Sequence, residues 1–319
     1  MNRETPAWVW TVLLALAIAL PLALHARGQD FYISMLSRMM IYGIAACSLN
    51  LILGFGGLVS FGHAAFVGIG AYAVGIMITE GATNGWLNFA VAMGVSALAA
   101  AVIGAISLRT RGVYFIMITL AFAQMIYYLV NSIKAYGGDE GLNIKSRSNF
   151  GWGLDLKNDV TFYFLVLLVL VLTLVFISRM MKSRFGRVIL AIRDDDIRAD
   201  AIGFPAYTYK WVLFIIAGTL GGLAGALMVN HQNYVSPNLM HWTQSGTLMV
   251  MVSLGGVGTL SGGLWGALVL LILEDVMAEY TVHWQFYVGW FLLAVVLLAP
   301  RGLSSVFNRT PKPETKGHT

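Results

Sequence analysis

The chain has 319 residues, 58% of them apolar and only 11% charged, with a mean hydropathy of +0.75. A soluble domain carries about 25% charged residues, so the composition excludes an ordinary soluble protein and predicts an all-α integral membrane bundle. The net charge of +5 comes from 20 basic residues spread over polar segments rather than gathered in a patch, which argues against a nucleic-acid partner.

A helix needs roughly 20 apolar residues to cross the hydrocarbon of a bilayer. In chain order the candidate spans are Ala7 to Leu24, Ile33 to Leu53, Leu58 to Ile78, Leu87 to Leu108, Gly112 to Val130, Val160 to Ser178 and Trp211 to Asn230. Two further apolar regions follow, Gly246 to Leu273 and Phe286 to Ala299. Arg3 precedes the first run and small residues lie near Ala26, yet we read that run as an uncleaved span rather than a secretory signal. The single cysteine, Cys47, lies within an apolar run and permits neither an intrachain disulfide nor a cysteine-based metal cluster. Residues 1–303 therefore read as one transmembrane domain of about eight to ten spans, and 304–319 as a polar cytoplasmic tail.

Lys and Arg in short loops mark the cytoplasmic side. Arg109 and Arg111 mark one such turn, and Arg179, Lys182, Arg184, Arg187, Arg193, Arg198 and Lys210 mark a second. Arg301, Arg309, Lys312 and Lys316 put the C-terminus on the same side, and the N-terminus is read as cytoplasmic as well. The segment Glu274 to Trp284 has three acids and no Lys or Arg, and is assigned outside. Gly246 to Leu273 must then leave and return on one side. Its 28 residues would make about 42 Å of continuous helix, whereas two crossings need roughly 40 residues. A hairpin broken at Gly255, Gly256, Gly258, Gly262 and Gly263, crossing part of the bilayer, is predicted. Irregular backbone at membrane depth is tolerated where protein buries it or a watery cavity solvates it, so the hairpin is a candidate pathway wall.

A shift of 201 positions aligns Leu53, Gly54, Gly57, Ser60 and Gly62 with Leu254, Gly255, Gly258, Ser261 and Gly263. Paired Gly-interrupted segments in two halves point to the central site of a transporter, although two Gly-rich turns would give the same pattern. Whether the halves are inverted or parallel is open at this stage.

The interiors of these apolar regions carry no Asp, Glu or Lys; the groups there that can carry side-chain charge at ordinary pH are Arg38, near one end, and His63 if protonated. Ion-coupled carriers keep functional carboxylates inside the bundle, so proton coupling is disfavoured, and sodium coupling less strongly. No lysine follows a glycine, so a phosphate-binding P-loop cannot be written anywhere. Gly68, Gly70 and Ala73 spell G-x-G-x-x-A, but within an apolar helix with no preceding strand this reads as helix packing rather than a dinucleotide site. Gly218 with Gly222, Gly221 with Gly225, and Gly262 with Gly266 have the spacing that lets helices approach closely.

The polar loop Ser183 to Lys210 (SRFGRVILAIRDDDIRADAIGFPAYTYK) predicts a short helix from Ile197 to Ile202, ended by Gly203 and Pro205. Ile192, Ala199 and Ile202 would form its apolar side, suited either to a groove on a partner protein or to the lipid headgroups. Asp194, Asp195 and Asp196 raise a metal reading, but successive helix residues do not face one centre, and a solvated helix start is the expectation.

Ser60 to Tyr72 (SFGHAAFVGIGAY), Thr110 to Leu120 (TRGVYFIMITL), the SRFGR...AIRDDDIRADAIG stretch, Leu254 to Ala267 (LGGVGTLSGGLWGA) and Pro300 to Leu303 (PRGL), in this order and spacing, resemble the permease subunits of branched-chain amino acid ABC importers of the LivM type. The resemblance implies a type II ABC importer permease. It implies a second related permease as heterodimer partner, two cytoplasmic ABC ATPases that bind ATP and Mg²⁺, and a periplasmic substrate-binding protein, with no cofactor or metal of the chain's own and no catalysis by it. It implies too that the loop 180–210 couples to an ATPase, with Arg184, Gly186, Arg187, Arg193, Asp196, Ala199 and Gly203 on the family's motif. The three aspartates depart from the family pattern, in which Glu or Asn usually stands there. Tyr136 to Leu142 (YGGDEGL) resembles the family's periplasmic TGG-x-x-GL segment with Tyr136 in place of Thr, which makes Gly137, Gly138, Asp139 and Gly141 candidates for docking the binding protein.

Candidate pathway residues are Ser60, His63, Gln124, Gly255, Gly258 and Ser261; His63 alone would more often be a hydrogen-bonded packing residue. Gln124 and Asn131, on one side of a helix, could line an aqueous route or bond neighbouring helices. The expected function is import of branched-chain amino acids across the bacterial inner membrane. Urea, amides or small carboxylates are alternative solutes, and a self-sufficient carrier or channel is the alternative class.

Overall fold

The computed structural model describes residues 7–144, 146–151, 156, 158–281, 283–298 and 302. The N-terminal Arg3, most of the PRGL motif and the basic tail with Arg301, Arg309, Lys312 and Lys316 lie outside them. The described chain is a helical bundle: α1 (Ala7–Ala26), α2 (Asp30–Asn50) running on into a π-helical turn (Leu51–Phe55), α3 (His63–Thr79), α4 (Gly85–Ser107), α5 (Val113–Ser132), α6 (Asp159–Lys182), α7 (Arg184–Asp194), α8 (Asp196–Ala201), α9 (Ala206–Gln232), α10 (Trp242–Gly255), α11 (Gly262–Tyr280) and α12 (Trp284–Leu298). Five stretches are long and apolar enough to cross a membrane: α2 with its π-turn, α4, α5, α6 and α9.

Burial orders the bundle. In the most apolar window of α2, 78% of residues are buried and in α9 67%, against 17% in α5, so α2 and α9 form the centre and α5 lies at the edge. Lipid tails are as apolar as the side chains, so such helices associate by close packing rather than by the hydrophobic effect, and glycine supplies the closeness. Gly218 and Gly222 of α9 face Ala100 and Ser96 of α4, while Gly225 abuts the Val67 carbonyl of α3 and Gly70 of α3 abuts Gly222. The G-x-G-x-x-A stretch is thus a packing seam, with Gly68 against Met240.

Side-chain acceptors cap several of the helix starts. The Asn84 side chain accepts from Trp86 and Leu87 N–H ahead of α4, and that of Asn158 from Val160 N–H ahead of α6. At one end of the bundle β1 (Leu142–Asn143), between α5 and α6, pairs antiparallel with β2 (Tyr234–Val235), after α9. At the other end lie α7 and α8.

One expectation needs correction: the third apolar run is helical only from His63, because residues 56–62 form a break. The acidic segment Glu274 to Trp284 is helical for most of its length, since α11 continues through Glu274, Asp275 and Glu279 to Tyr280. Arg38 of α2 meets Asp275, 237 residues away in sequence, at 3.3 Å and the neighbouring Glu274 at 3.9 Å, so two of the three carboxylates find a cation on a distant helix. With α10 of 14 residues and α11 of 19, the hairpin is longer than its apolar run, and its break reaches α7.

Candidate functional site

The two glycine breaks predicted 201 residues apart touch each other. Gly57 (φ +67°) and Gly258 (φ +75°) occupy the left-handed region that favours glycine, and a side chain on Gly54 would collide with the backbone of Gly258. Asn50 joins them: its Nδ2 donates to the Thr259 carbonyl at 2.7 Å and its Oδ1 accepts from Gly258 N–H at 3.0 Å. α11 runs antiparallel along α2, with Gly263 on Ala46 and Cys47 and Asp275 on Arg38, and α10 folds back on α11, with Gly255 against Gly262 and Met251 against Gly266. α2 and α10 therefore approach the junction in the same direction, and the two segments are repeated in the same sense, not inverted. Gly302, beyond α12, packs on Gly256 at the same place.

The loop between α6 and α9 is a rigid, folded unit. Ser183 caps α7, accepting from Gly186 N–H at 3.4 Å, and Gly186 lies on the backbone of Met180 and Met181. Asp195 breaks the run in an extended conformation and caps α8, accepting from Arg198 N–H at 3.1 Å. At the end of α8, Gly203 N–H donates to the Asp200 carbonyl and Phe204 N–H to the Ala199 carbonyl, both at 3.0 Å, a Schellman ending with Gly203 in the left-handed position. Asp200 also accepts from Ala206 N–H at 2.8 Å, fixing the entry to α9, and Phe185 stacks on Tyr209.

The three aspartates diverge, each toward a different cation: Asp194 to Arg193, Asp195 to Arg198, and Asp196 to Lys210 at 3.2 Å and Arg111 at 3.5 Å. Burial alone would push the Asp196 carboxyl up, but the hydrogen bond and charge of Lys210 and the charge of Arg111 outweigh it and hold it below the ordinary carboxylate value. The apolar side expected for this loop is only half right. Ile192 and Ala199 are 2% and 3% exposed and pack with Ala206 inside the protein, whereas Ile202 is 72% exposed and is joined outside by Ile197 at 70%. Alternate sides of α8 do different work: one is glued to α9, the other projects with Arg198.

Arg184, Arg187 and Arg193 of α7 are all exposed, but Arg193 also reaches the junction. Its Nη1 donates to the Gly54 carbonyl at 2.9 Å. Nothing in the sequence announces that bond, since the two residues share neither element nor motif.

Of the candidate pathway residues, Ser60 and His63 are fully buried. Ser48 Oγ lies 2.7 Å from the Ala45 carbonyl and 2.7 Å from His63 Nε2. A hydroxyl has one proton to donate; with it on Ala45, the imidazole is the donor and carries its proton on Nε2. His63 thus links α3 to α2, and its buried Nδ1 lacks a protein partner among the described residues. Ser60 Oγ accepts from Gly62 N–H at 3.3 Å. Gly255 lies in the α10–α11 crossing against Gly262, Gly258 in the junction itself, and Ser261, half-buried, immediately before α11. Gln124 is apart from these on α5, its buried Nε2 lacking a protein partner among the described residues.

Gly137, Gly138, Asp139 and Gly141 form two tight turns after α5, at the end opposite α7. They are held against β2 by Tyr234, whose hydroxyl donates to the Glu140 carbonyl at 2.6 Å, and Asp139 is exposed.

Comparison with known proteins agrees with this architecture. A family model described as the permease component of branched-chain amino acid transport systems matches residues 31–300. The high-affinity branched-chain amino acid transport system permease protein LivM of Salmonella typhimurium is 28% identical over 314 residues, covering 91% of this chain and 73% of that protein. The probable branched-chain amino acid transport permease protein LivM of Methanocaldococcus jannaschii is 26% identical, covering 78% of this chain and 82% of that protein. The permease protein LivH of Escherichia coli K12 is 23% identical, covering 82% and 90%. No solved structure gives a match. The chain is a multi-pass membrane protein and belongs to the family of branched-chain amino acid transport system permeases.

Proposed function

We propose that this chain is one of two related permease subunits of an ATP-driven importer that carries branched-chain amino acids across a bacterial inner membrane. Two cytoplasmic ATPases drive it, binding ATP and Mg²⁺ themselves, and a periplasmic binding protein delivers the solute; the chain makes and breaks no bond. The observation that carries the reading is the folded α7–α8 unit, which projects Ile197 and Ile202 amid Arg198, Arg184 and Arg187 at the end where both breaks meet. Exposed apolar side chains on a rigid helix beside basic residues suit a partner's groove. The basic loops put that end, and both termini, in the cytoplasm, which leaves the turns at Gly137 to Gly141 outside for the binding protein.

Alternating access then amounts to movement of the junction of Gly255, Gly258 and Ser261 relative to α5. Gln124 is the polar group assigned to the route, and Ser60 and His63 brace its wall. Branched side chains suit an apolar route, and the choice among branched-chain amino acids, amides, urea and small carboxylates rests with the binding protein. The test is purification from the native membrane in mild detergent, identification of the chains that come with it, and uptake in proteoliposomes. The reading predicts a second permease, ATPases and uptake that needs ATP and the binding protein. Uptake by this chain alone without ATP would replace it with a carrier or channel.

A further inference from the structure

Arg193 is the one basic residue of the α7–α8 motif whose side chain reaches the breaks among the described contacts, and it reaches both. Its guanidinium bonds the Gly54 carbonyl at 2.9 Å. Its stem fills the space beside Gly57, where Cγ stands 2.8 Å from the position a Cβ would take, and its Nη1 stands 3.6 Å from the corresponding point on Gly258. Asn50 ties the second break to the first. Gly54 belongs to the π-helical turn Leu51–Phe55, where one extra residue is held in the helix. Such turns recur at functional sites.

We infer that Arg193 is the positioning residue that joins α7–α8 to the twin breaks, so that displacement of the surface helices shifts the π-turn and the α10–α11 crossing together. This rests on the reading of α7–α8 as the part moved by partner ATPases. A charge-assisted bond to a backbone carbonyl is among the stronger single contacts a side chain makes, and the arginine stem lies against Gly57 while the side chain as a whole is 37% exposed. Movement of α7 along the bundle either carries Gly54 with it or breaks that bond. Because Asn50 bonds Gly258 and Thr259, whatever shifts the first break shifts the second. Lysine at 193 keeps the charge and one donor but lacks the planar fork, so it serves as a graded variant.

The experiment compares wild type, R193A and R193K with two readouts. The first is solute imported per ATP hydrolysed by the complete complex in proteoliposomes. In R193A the import per ATP hydrolysed falls roughly tenfold or more, the scale of one lost hydrogen bond to a charged group, and R193K recovers part of it. The second readout needs no partner: amide hydrogen exchange at Gly56, Leu58, Gly258 and Thr259 in the isolated chain rises at both breaks together in R193A and less in R193K. Wild-type import per ATP in R193A, or faster exchange confined to one break, overturns the inference. If the wild-type complex shows no ATP-driven uptake while both breaks loosen together in R193A, the partner reading fails and the mechanical link stands. Should R193A not be recovered folded, R193K decides alone, and unchanged coupling with unchanged exchange in it overturns the inference.

Discussion

Asn50 and Gly258 are hydrogen-bonded across 208 residues of sequence, Oδ1 to N–H at 3.0 Å, with the other end of the same amide on the Thr259 carbonyl at 2.7 Å. One side chain therefore satisfies the Gly258 N–H, which the break in α10–α11 leaves without a helical partner, and adds a second donor to a Thr259 carbonyl that already accepts from Gly262 N–H at 3.3 Å. N50A strands the Gly258 N–H, and a polar group left unpaired away from water costs about 1–3 kcal/mol. The free, buried thiol of Cys47 reports unfolding to a thiol-reactive dye, and its midpoint should fall by several degrees in N50A. An unchanged midpoint would remove Asn50 from the account of the junction.

The α3–α9 seam predicts opposite outcomes for two glycine-to-alanine changes. A Cβ at Gly225 meets the Val67 carbonyl and the Ala71 amide of α3, whereas nothing lies within 4 Å of one at Gly94 in α4. G225A should destabilise by about 1–3 kcal/mol through overpacking. G94A should be neutral or stabilise by about 0.5–1 kcal/mol, since glycine weakens a helix interior. The same dye assay ranks the two.

The Lys210 and Arg111 partners of Asp196 set a direction of pH dependence. A carboxyl held below its ordinary value in the folded protein contributes stability that is complete above about pH 4 and is lost as pH falls through the lowered value. Asp196 is 24% exposed, so the contribution is about 1 kcal/mol or less after solvent screening. Amide protection factors at Ala199 and Ile202, corrected for the intrinsic pH dependence of exchange, should be steady from neutral to mildly acid pH and fall below it, and D196N should lower them at neutral pH and flatten the acid limb. The same acid limb in D196N as in wild type would assign it to another group.

Ile197 and Ile202 make few contacts within the chain, so their replacement separates docking from folding. I197E with I202E should leave the unfolding midpoint within about 0.5 kcal/mol of wild type, as surface changes do, while reducing the ATPases that co-purify. I192A removes a buried side chain on the opposite face, and should cost about 2–5 kcal/mol of stability. Loss of partners in I192A at full stability, or none in the double glutamate variant, would assign docking to a different surface.

The sequence by itself determined the class of the protein, its apolar spans within a few residues, the two glycine breaks and the amphipathic loop. Each of these follows from local constraints: the length a helix needs in hydrocarbon, the backbone freedom of glycine, the caps at helix ends. Only the tertiary structure decided that α11 continues through Glu274 and Asp275, because their cation, Arg38, comes from α2. It also decided which side of α8 faces outward, because Ile192 and Ala199 are claimed by Ala206 and Tyr209 of α9, and a six-residue helix has too short a period to declare a face. Finally, it brought the twin breaks together and set Arg193 across them. Those contacts join residues more than a hundred positions apart, and such proximity is fixed by how whole helices pack, not by the residues beside each break.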